Sequence, residues 1–249
     1  MLNRRAAALL ALSAPWLTRE ALAKTPLLRS RPDTIAMLVY DNMQALDFVA
    51  PHAAFTFLRG AKVHVVAKTR DPVVSDSGLR FFPTLTLSEC PKDLTVLFVP
   101  GGIGTLDAMR DEETVAFIAD RGARASYVTS VCTGSMLLGA AGLLRGYRAT
   151  THWSVLDVLE HFGARSVRKR VVSDRNRITG GGVTAGLDFG LAMIAEMRDR
   201  FYAQTVQLMF EYNPQPPFDA GSPLTAPSAV VAEVREILAD FISQANALS

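Results

Sequence analysis

From Thr34 onward, short apolar runs alternate with stretches of helical spacing, and that alternation admits few folds. The runs Thr34–Tyr40, Lys62–Lys68, Leu94–Val99 and Ser126–Val131 are rich in β-branched and apolar residues and too short for helices. Thr34–Tyr40 and Leu94–Val99 have the pattern of parallel strands buried on both faces, and the other two are strand-like. Helical spacing covers Asp47–Leu58, Glu112–Arg124, Thr133–Ala141 and Ser154–Phe162, with a hairpin-like excursion over Val73–Thr84. Arg170–Ser173 and Arg177–Thr179 are strand-like, and Gly180-Gly181-Gly182 then opens one long predicted helix, Thr184–Tyr212. Pro214, Pro216 and Pro217 end it, and Ser228–Ala245 forms a final helix. Strands separated by helices predict an α/β three-layer sandwich, a mostly parallel sheet with helices on both faces. Its active site belongs beyond the carboxyl ends of the strands.

The first 23 residues differ from the rest. Arg4-Arg5 precedes an Ala/Leu-rich stretch, and Ala21-Leu22-Ala23 has a small-x-small cleavage pattern. This is the layout of a twin-arginine export signal, so a periplasmic location is expected, with a cytoplasmic one as the alternative. The remaining chain divides into a catalytic-type domain over residues 34–214 and a C-terminal helical extension over residues 215–249. Without the signal, the formal charge falls from +2 to 0, because Arg4, Arg5, Arg19 and Glu20 leave with it. A neutral body lacks the positive field that nucleic-acid binding requires. No apolar run reaches the ~18 residues of a membrane span. The two cysteines, Cys90 and Cys132, form neither a disulfide framework nor a metal-ligand spacing.

Cys132 stands where a strand turns into a helix, in Ser126-Tyr-Val-Thr-Ser-Val-Cys132-Thr133-Gly134-Ser135. A nucleophile at such a turn is lifted clear of the sheet. The helix N-terminus beside it is expected to lower the thiol pKa. A buried, inert cysteine is an equally good reading of position alone. Asp47, in Gln44-Ala-Leu-Asp-Phe-Val-Ala-Pro51, is either a helix-N-terminal residue satisfying backbone N–H groups or a proton donor. Gly101 and Gly102 leave backbone N–H groups unobstructed for an oxyanion hole, or else form a plain loop. His152, in Ala149-Thr-Thr-His-Trp153, is a further candidate for activating the thiol, or a satisfied structural histidine. Tyr40, Phe48 and Trp153 flank these positions as candidate apolar lining or ordinary core.

The segment SVCTGSMLLGAAGLLRGYRATTHW, with Val99-Pro-Gly-Gly102 and an acidic residue after the first strand, resembles the DJ/PfpI superfamily over about Thr34 to Arg200. That resemblance implies a flavodoxin-like, class I glutamine amidotransferase-like fold. It implies Cys132 as nucleophile and Asp47 as the acid held beside it. Thr133 would orient substrate or water, and Gly101, Gly102 and Gly134 would line the anion or substrate site. The protease-like branch has His after the cysteine, and Thr133 in its place argues against peptide hydrolysis. Many members of the superfamily carry Glu at the position of Asp47, and Asp there resembles the isonitrile-hydrating branch. The activity so implied is hydration of an isonitrile to an N-substituted formamide, with no cofactor required and a small molecule as substrate. Members commonly form homodimers, so the resemblance implies one here. Two other readings stay open. RATTHW also resembles the amidase-like sensor half of AraC-type regulators, although no helix-turn-helix pattern follows the long helix. A glyoxalase or a redox-sensing thiol would use the same cysteine.

Overall fold

The computed structural model describes residues 31–248, so the signal-like first 23 residues lie outside it. In chain order the first elements are β1 (Thr34–Leu38), α1 (Ala45–Thr56), β2 (Lys62–Ala67), β3 (Val73–Val74), β4 (Arg80–Phe81), β5 (Leu85–Thr86) and β6 (Val96–Val99). Then come α2 (Thr105–Arg110), α3 (Glu112–Arg124), β7 (Tyr127–Val131), α4 (Gly134–Ala140) and β8 (Arg148–Ala149). A 3-10 turn (Trp153–Val155), α5 (Val158–His161), β9 (Arg165–Ser166), β10 (Val171–Asp174) and β11 (Arg177–Gly180) follow. The chain closes with α6 (Ala185–Met197), α7 (Arg200–Met209), α8 (Ser228–Ile237) and α9 (Ala239–Ala247). Among the described residues no helix is long and apolar enough to cross a membrane.

Seven strands form one sheet in the order β10-β11-β7-β6-β1-β2-β5, parallel throughout except at the β10–β11 edge. The small pairs β3–β4 and β8–β9 stand apart from it, and β3–β4 is the expected hairpin-like excursion. Successive residues of β1 face opposite cores. Ile35 and Met37 join one apolar cluster with Phe55, Phe98 and Phe189, while Ala36 and Leu38 join the other with Met136 and Leu137. Apolar burial on both faces is why these strands read as continuous hydrophobic runs. The three-layer α/β expectation therefore holds.

The chain leaves β1 toward β2 on one side and returns to β6 on the other, so the order reverses between β1 and β6. Loops at such a reversal part and leave a crevice beyond the strand ends. The loops after β1, β6 and β7 meet there, and a bridge between Met43 and Gly102 closes the first two together.

The predicted helix Thr184–Tyr212 is two helices. Arg198 leaves helical geometry (φ −123°, ψ −96°), and its buried guanidinium lies 2.8 Å from the buried Asp33 carboxylate before β1. Asp199 then caps α7 by accepting from the Tyr202 N–H at 2.8 Å, and the Tyr202 hydroxyl donates to the Phe57 carbonyl at 2.5 Å. The apolar period runs through the break, so only the capping aspartate marked it. The final helix also divides, at Leu238, and the expected helix Ser154–Phe162 is a 3-10 turn followed by one α-turn. Helix α2 was not foreseen, because six residues carry too little periodicity.

The Asp33–Arg198 pair yields the first prediction. Asp33→Ala or Arg198→Ala alone leaves a buried charge without its nearest partner and should cost up to about 3–5 kcal/mol in urea unfolding. The double replacement Asp33→Leu with Arg198→Met should recover most of that loss.

Candidate active site

Cys132 sits at the end of β7 with φ +56°, a left-handed conformation that side chains other than glycine rarely adopt. Holding it costs on the order of 1–3 kcal/mol. The surrounding backbone supplies the restraint. The Cys132 N–H donates to the Gly181 carbonyl at 2.7 Å and the Gly180 carbonyl at 3.1 Å, and its own carbonyl accepts from the Thr151 hydroxyl at 2.8 Å. The helix behind it can begin only because residue 134 is glycine. A Cβ there would lie 2.3 Å from the Val99 carbonyl oxygen. The sharp strand-to-helix turn expected from the sequence is present, and Gly134 provides its close approach.

Asp47 is fully buried in the first turn of α1, yet it does not cap that helix. Its Oδ2 accepts from the Gly101 N–H at 2.9 Å, across from β1 to β6. Its Oδ1 is buried without a nitrogen or oxygen partner, and the carboxyl interacts with the Cys132 side chain. Burial, outweighing the Gly101 N–H, pushes the Asp47 carboxyl up to about 7, and the charge of nearby Asp76 adds to the rise. Asp76 also accepts from the Ala45 N–H at 3.2 Å, taking part of the capping role expected of Asp47.

The thiol moves the opposite way from the sequence expectation. Burial first, then the Asp47 charge, raises it well above its ordinary value, while the Thr133 N–H and hydroxyl lower it. The start of a seven-residue helix does not outweigh desolvation at a residue that is only 5% exposed. Two acids in contact and out of water titrate as a pair, and their mutual repulsion disfavours the loss of both protons.

The N–H groups of Gly101 and Gly102, expected to face an oxyanion, already have partners in this structure. The Gly101 N–H is held by Asp47, and the Gly102 N–H donates to Thr133 Oγ1 at 2.9 Å. Both glycines act instead by close packing. A Cβ on Gly101 would lie 2.4 Å from the Thr133 nitrogen, and Gly102 has φ +136°. Thr133 heads a buried chain of hydroxyls that the sequence did not announce. Its Oγ1 lies 2.7 Å from Thr105 Oγ1, which lies 3.1 Å from the Tyr40 hydroxyl, and Tyr40 donates to the Pro100 carbonyl at 2.7 Å. Tyr40 is thus a polar anchor rather than apolar lining.

Cys132 and Thr133 open into a cavity of about 140 Å³ that is also lined by Gln44, Asp76, Ile103, Val183, Leu238 and Phe241. His152 lines it too. Its Nδ1 is paired with the Ser154 hydroxyl at 2.7 Å, burial lowers its pKa, and among the described residues no hydrogen bond joins its ring to Cys132. The direct activating role gives way to a wall residue. Trp153 borders a neighbouring cavity of about 470 Å³ instead. Phe48 is core, packed against His52 and Phe81. Leu238 and Phe241 were missed, because a wall formed by a distant helix leaves no local signature.

The DJ-1/PfpI family model matches residues 33–196, which include the whole Asp47–Gly101–Cys132 constellation. The chain belongs to the DJ-1/PfpI family. It is 52% identical over 202 residues to the isonitrile hydratase of Pseudomonas putida, covering 81% of this chain and 88% of that one. It superposes on a ThiJ/PfpI family protein from Pseudomonas syringae with TM-score 0.89 and 56% identity, covering 96% of this chain and 98% of the other. It is also 30% identical to the HTH-type transcriptional regulator GbdR of Pseudomonas aeruginosa, over 73% of this chain and 51% of that protein. The DJ-1/PfpI scaffold is thus similar to both an enzyme and a regulator.

The buried Asp47 generates a pH-dependent prediction. Its carboxyl rises from 3.8 to about 7 on folding, so the stability it permits is complete below the unfolded value and lost as pH climbs to the folded one. That loss amounts to about 4 kcal/mol. Asp47→Asn cannot ionise. In urea unfolding it should match wild type at pH 3.5 and exceed it by up to about 4 kcal/mol at pH 8.

Proposed function

We propose that this protein hydrates isonitriles to N-substituted formamides, with Cys132 as nucleophile and Asp47 as proton carrier. The observation that carries this reading is the buried Asp47 carboxyl held against the thiol of Cys132, which itself opens into a small cavity. An isonitrile needs both groups at one point. Its terminal carbon accepts a proton and a nucleophile, so donor and sulfur must reach the same atom. Similarity to the Pseudomonas putida isonitrile hydratase over most of both chains supports the same substrate class.

The pair starts with one proton between them. As the sulfur attacks the terminal carbon, that proton passes to the same carbon, giving a thioimidate, R–N=CH–S–Cys132, and leaving Asp47 ionised. Asp47 then takes a proton from water as the oxygen adds to the thioimidate carbon, and returns it to the nitrogen. Collapse of the tetrahedral adduct breaks the C–S bond, releases the formamide and restores the shared proton. The Thr133 hydroxyl, fixed by Gly102 and Thr105, stands beside the sulfur to orient the incoming water. Nothing in this sequence calls for an oxyanion hole from Gly101 and Gly102.

A redox-sensing role is less well supported, because such thiols are exposed and of low pKa, and Cys132 is neither. The likeness to GbdR supports a second reading, ligand sensing without turnover. Export by the arginine-bearing first 23 residues and a homodimeric assembly also belong to the proposal. Cell fractionation that finds the protein only in the cytoplasm, or light scattering at the 27.0 kDa monomer mass, would remove them.

Formamide formation from cyclohexyl isocyanide, followed by chromatography, tests the chemistry. Cys132→Ala should abolish turnover, and Asp47→Asn should lower it by about two orders of magnitude or more. The reactive state has already lost one of the pair's two protons. For wild type, kcat/KM should therefore rise with pH through an apparent value near 7 and then level off, and Asp47→Asn should lack that limb. Turnover retained by Cys132→Ala would discard the mechanism. No turnover by wild type, with an isonitrile nonetheless bound, would favour sensing.

A further inference from the structure

The chain after the three-proline loop does more than cover the sheet. Helix α9 docks through Ala245, which is wholly buried, while Phe241, Ile242 and Leu248 pack against the cluster that contains Val99 and Leu106. The Arg110 guanidinium of α2 donates to Gln244 Oε1 at 2.8 Å and fixes the outer side of the helix. Leu238, at the junction of α8 and α9, and Phe241 stand three residues apart and so share a face. That face lines the cavity into which Cys132 opens.

The cavity is chemically divided. Cys132 and Thr133 are at its reactive end, and Gln44 and Asp76 edge one side. Ile103, Val183, Leu238 and Phe241 are its apolar side chains, and the last two come from the C-terminal helices. An isonitrile has the same reactive group whatever its substituent, so discrimination between isonitriles falls to whatever touches R. A space of about 140 Å³ limits the bulk that R can place next to the reacting carbon. We propose that Leu238 and Phe241 are the specificity-determining residues for the R group, selecting isonitriles with small branched or cyclic hydrocarbon substituents. This rests on the isonitrile reading above. The catalytic groups come from strand ends of the sheet, and the selecting wall comes from a C-terminal helix pair, so the wall can change without disturbing the reacting atoms.

The test compares kcat/KM for cyclohexyl and ethyl isocyanide in wild type, Leu238→Ala, Phe241→Ala and Leu238→Trp. The two alanine variants should shift the cyclohexyl-to-ethyl ratio upward by about tenfold, and Leu238→Trp should shift it downward by a similar factor. The same four proteins are treated with N-cyclohexylmaleimide and N-ethylmaleimide, and the ratio of Cys132 alkylation rates is measured without any need for turnover. Opposed shifts for the alanine and tryptophan variants in both assays establish the wall. If wild type hydrates no isonitrile but the maleimide ratios still move in opposite directions, the wall stands as a size filter and the hydratase reading falls. Ratios unchanged in all three variants, with turnover intact, overturn the proposal. Loosened folding would move the maleimide ratio the same way in every variant, and that result overturns it as well.

Discussion

One carboxyl group holds the site together. Asp47, on the helix after β1, accepts from the Gly101 N–H after β6 and faces the thiol of Cys132 after β7. Three loops that diverge at the reversal of strand order are thereby joined at a single buried side chain. The same burial that makes Asp47 costly to ionise makes it useful, because a carboxyl out of water keeps its proton near neutrality. Structure and chemistry thus draw on one desolvation effect with opposite signs, and removing the charge is expected to help the first and harm the second.

The backbone is arranged around that pair with little freedom. Cys132 is held at φ +56° by carbonyls of the Gly180–Gly181 segment, and Gly101 and Gly134 let neighbouring loops approach closer than any side chain would permit. The N–H groups of Gly101 and Gly102, which an oxyanion hole would need free, are spent on Asp47 and Thr133. This expenditure fits an addition reaction in which charge is neutralised by proton transfer rather than stabilised as an oxyanion.

Rigid strand ends carry the reacting groups, while the cavity is finished by a segment remote in sequence. Leu238 and Phe241 reach the site only because α9 docks on α2 and the sheet's apolar face through Ala245. His152, at the boundary of the two adjoining cavities, is a wall residue fastened by Ser154 rather than a partner of the thiol.

The sequence by itself determined the layer architecture, since buried parallel strands are short and largely apolar, as β1 and β6 are. It also determined the strand-to-helix turn at Cys132, because the residues that make such a turn are contiguous. What it did not contain was anything set by distance in space. The break at Arg198 depends on Asp33, more than 160 residues earlier, and the periodicity of α6 and α7 continues across it. The direction of the Cys132 shift depends on burial and on Asp47, which local helix-terminus reasoning could not weigh. The use of Gly101 and Gly102 N–H groups, the Tyr40–Thr105–Thr133 hydroxyl chain and the Leu238–Phe241 wall likewise arise only when separate loops meet. Local pattern encodes which elements form, because propensity and periodicity act over a few residues. Proton positions and cavity walls were decided by the tertiary structure, because desolvation and hydrogen-bond partnership are properties of the packed neighbourhood.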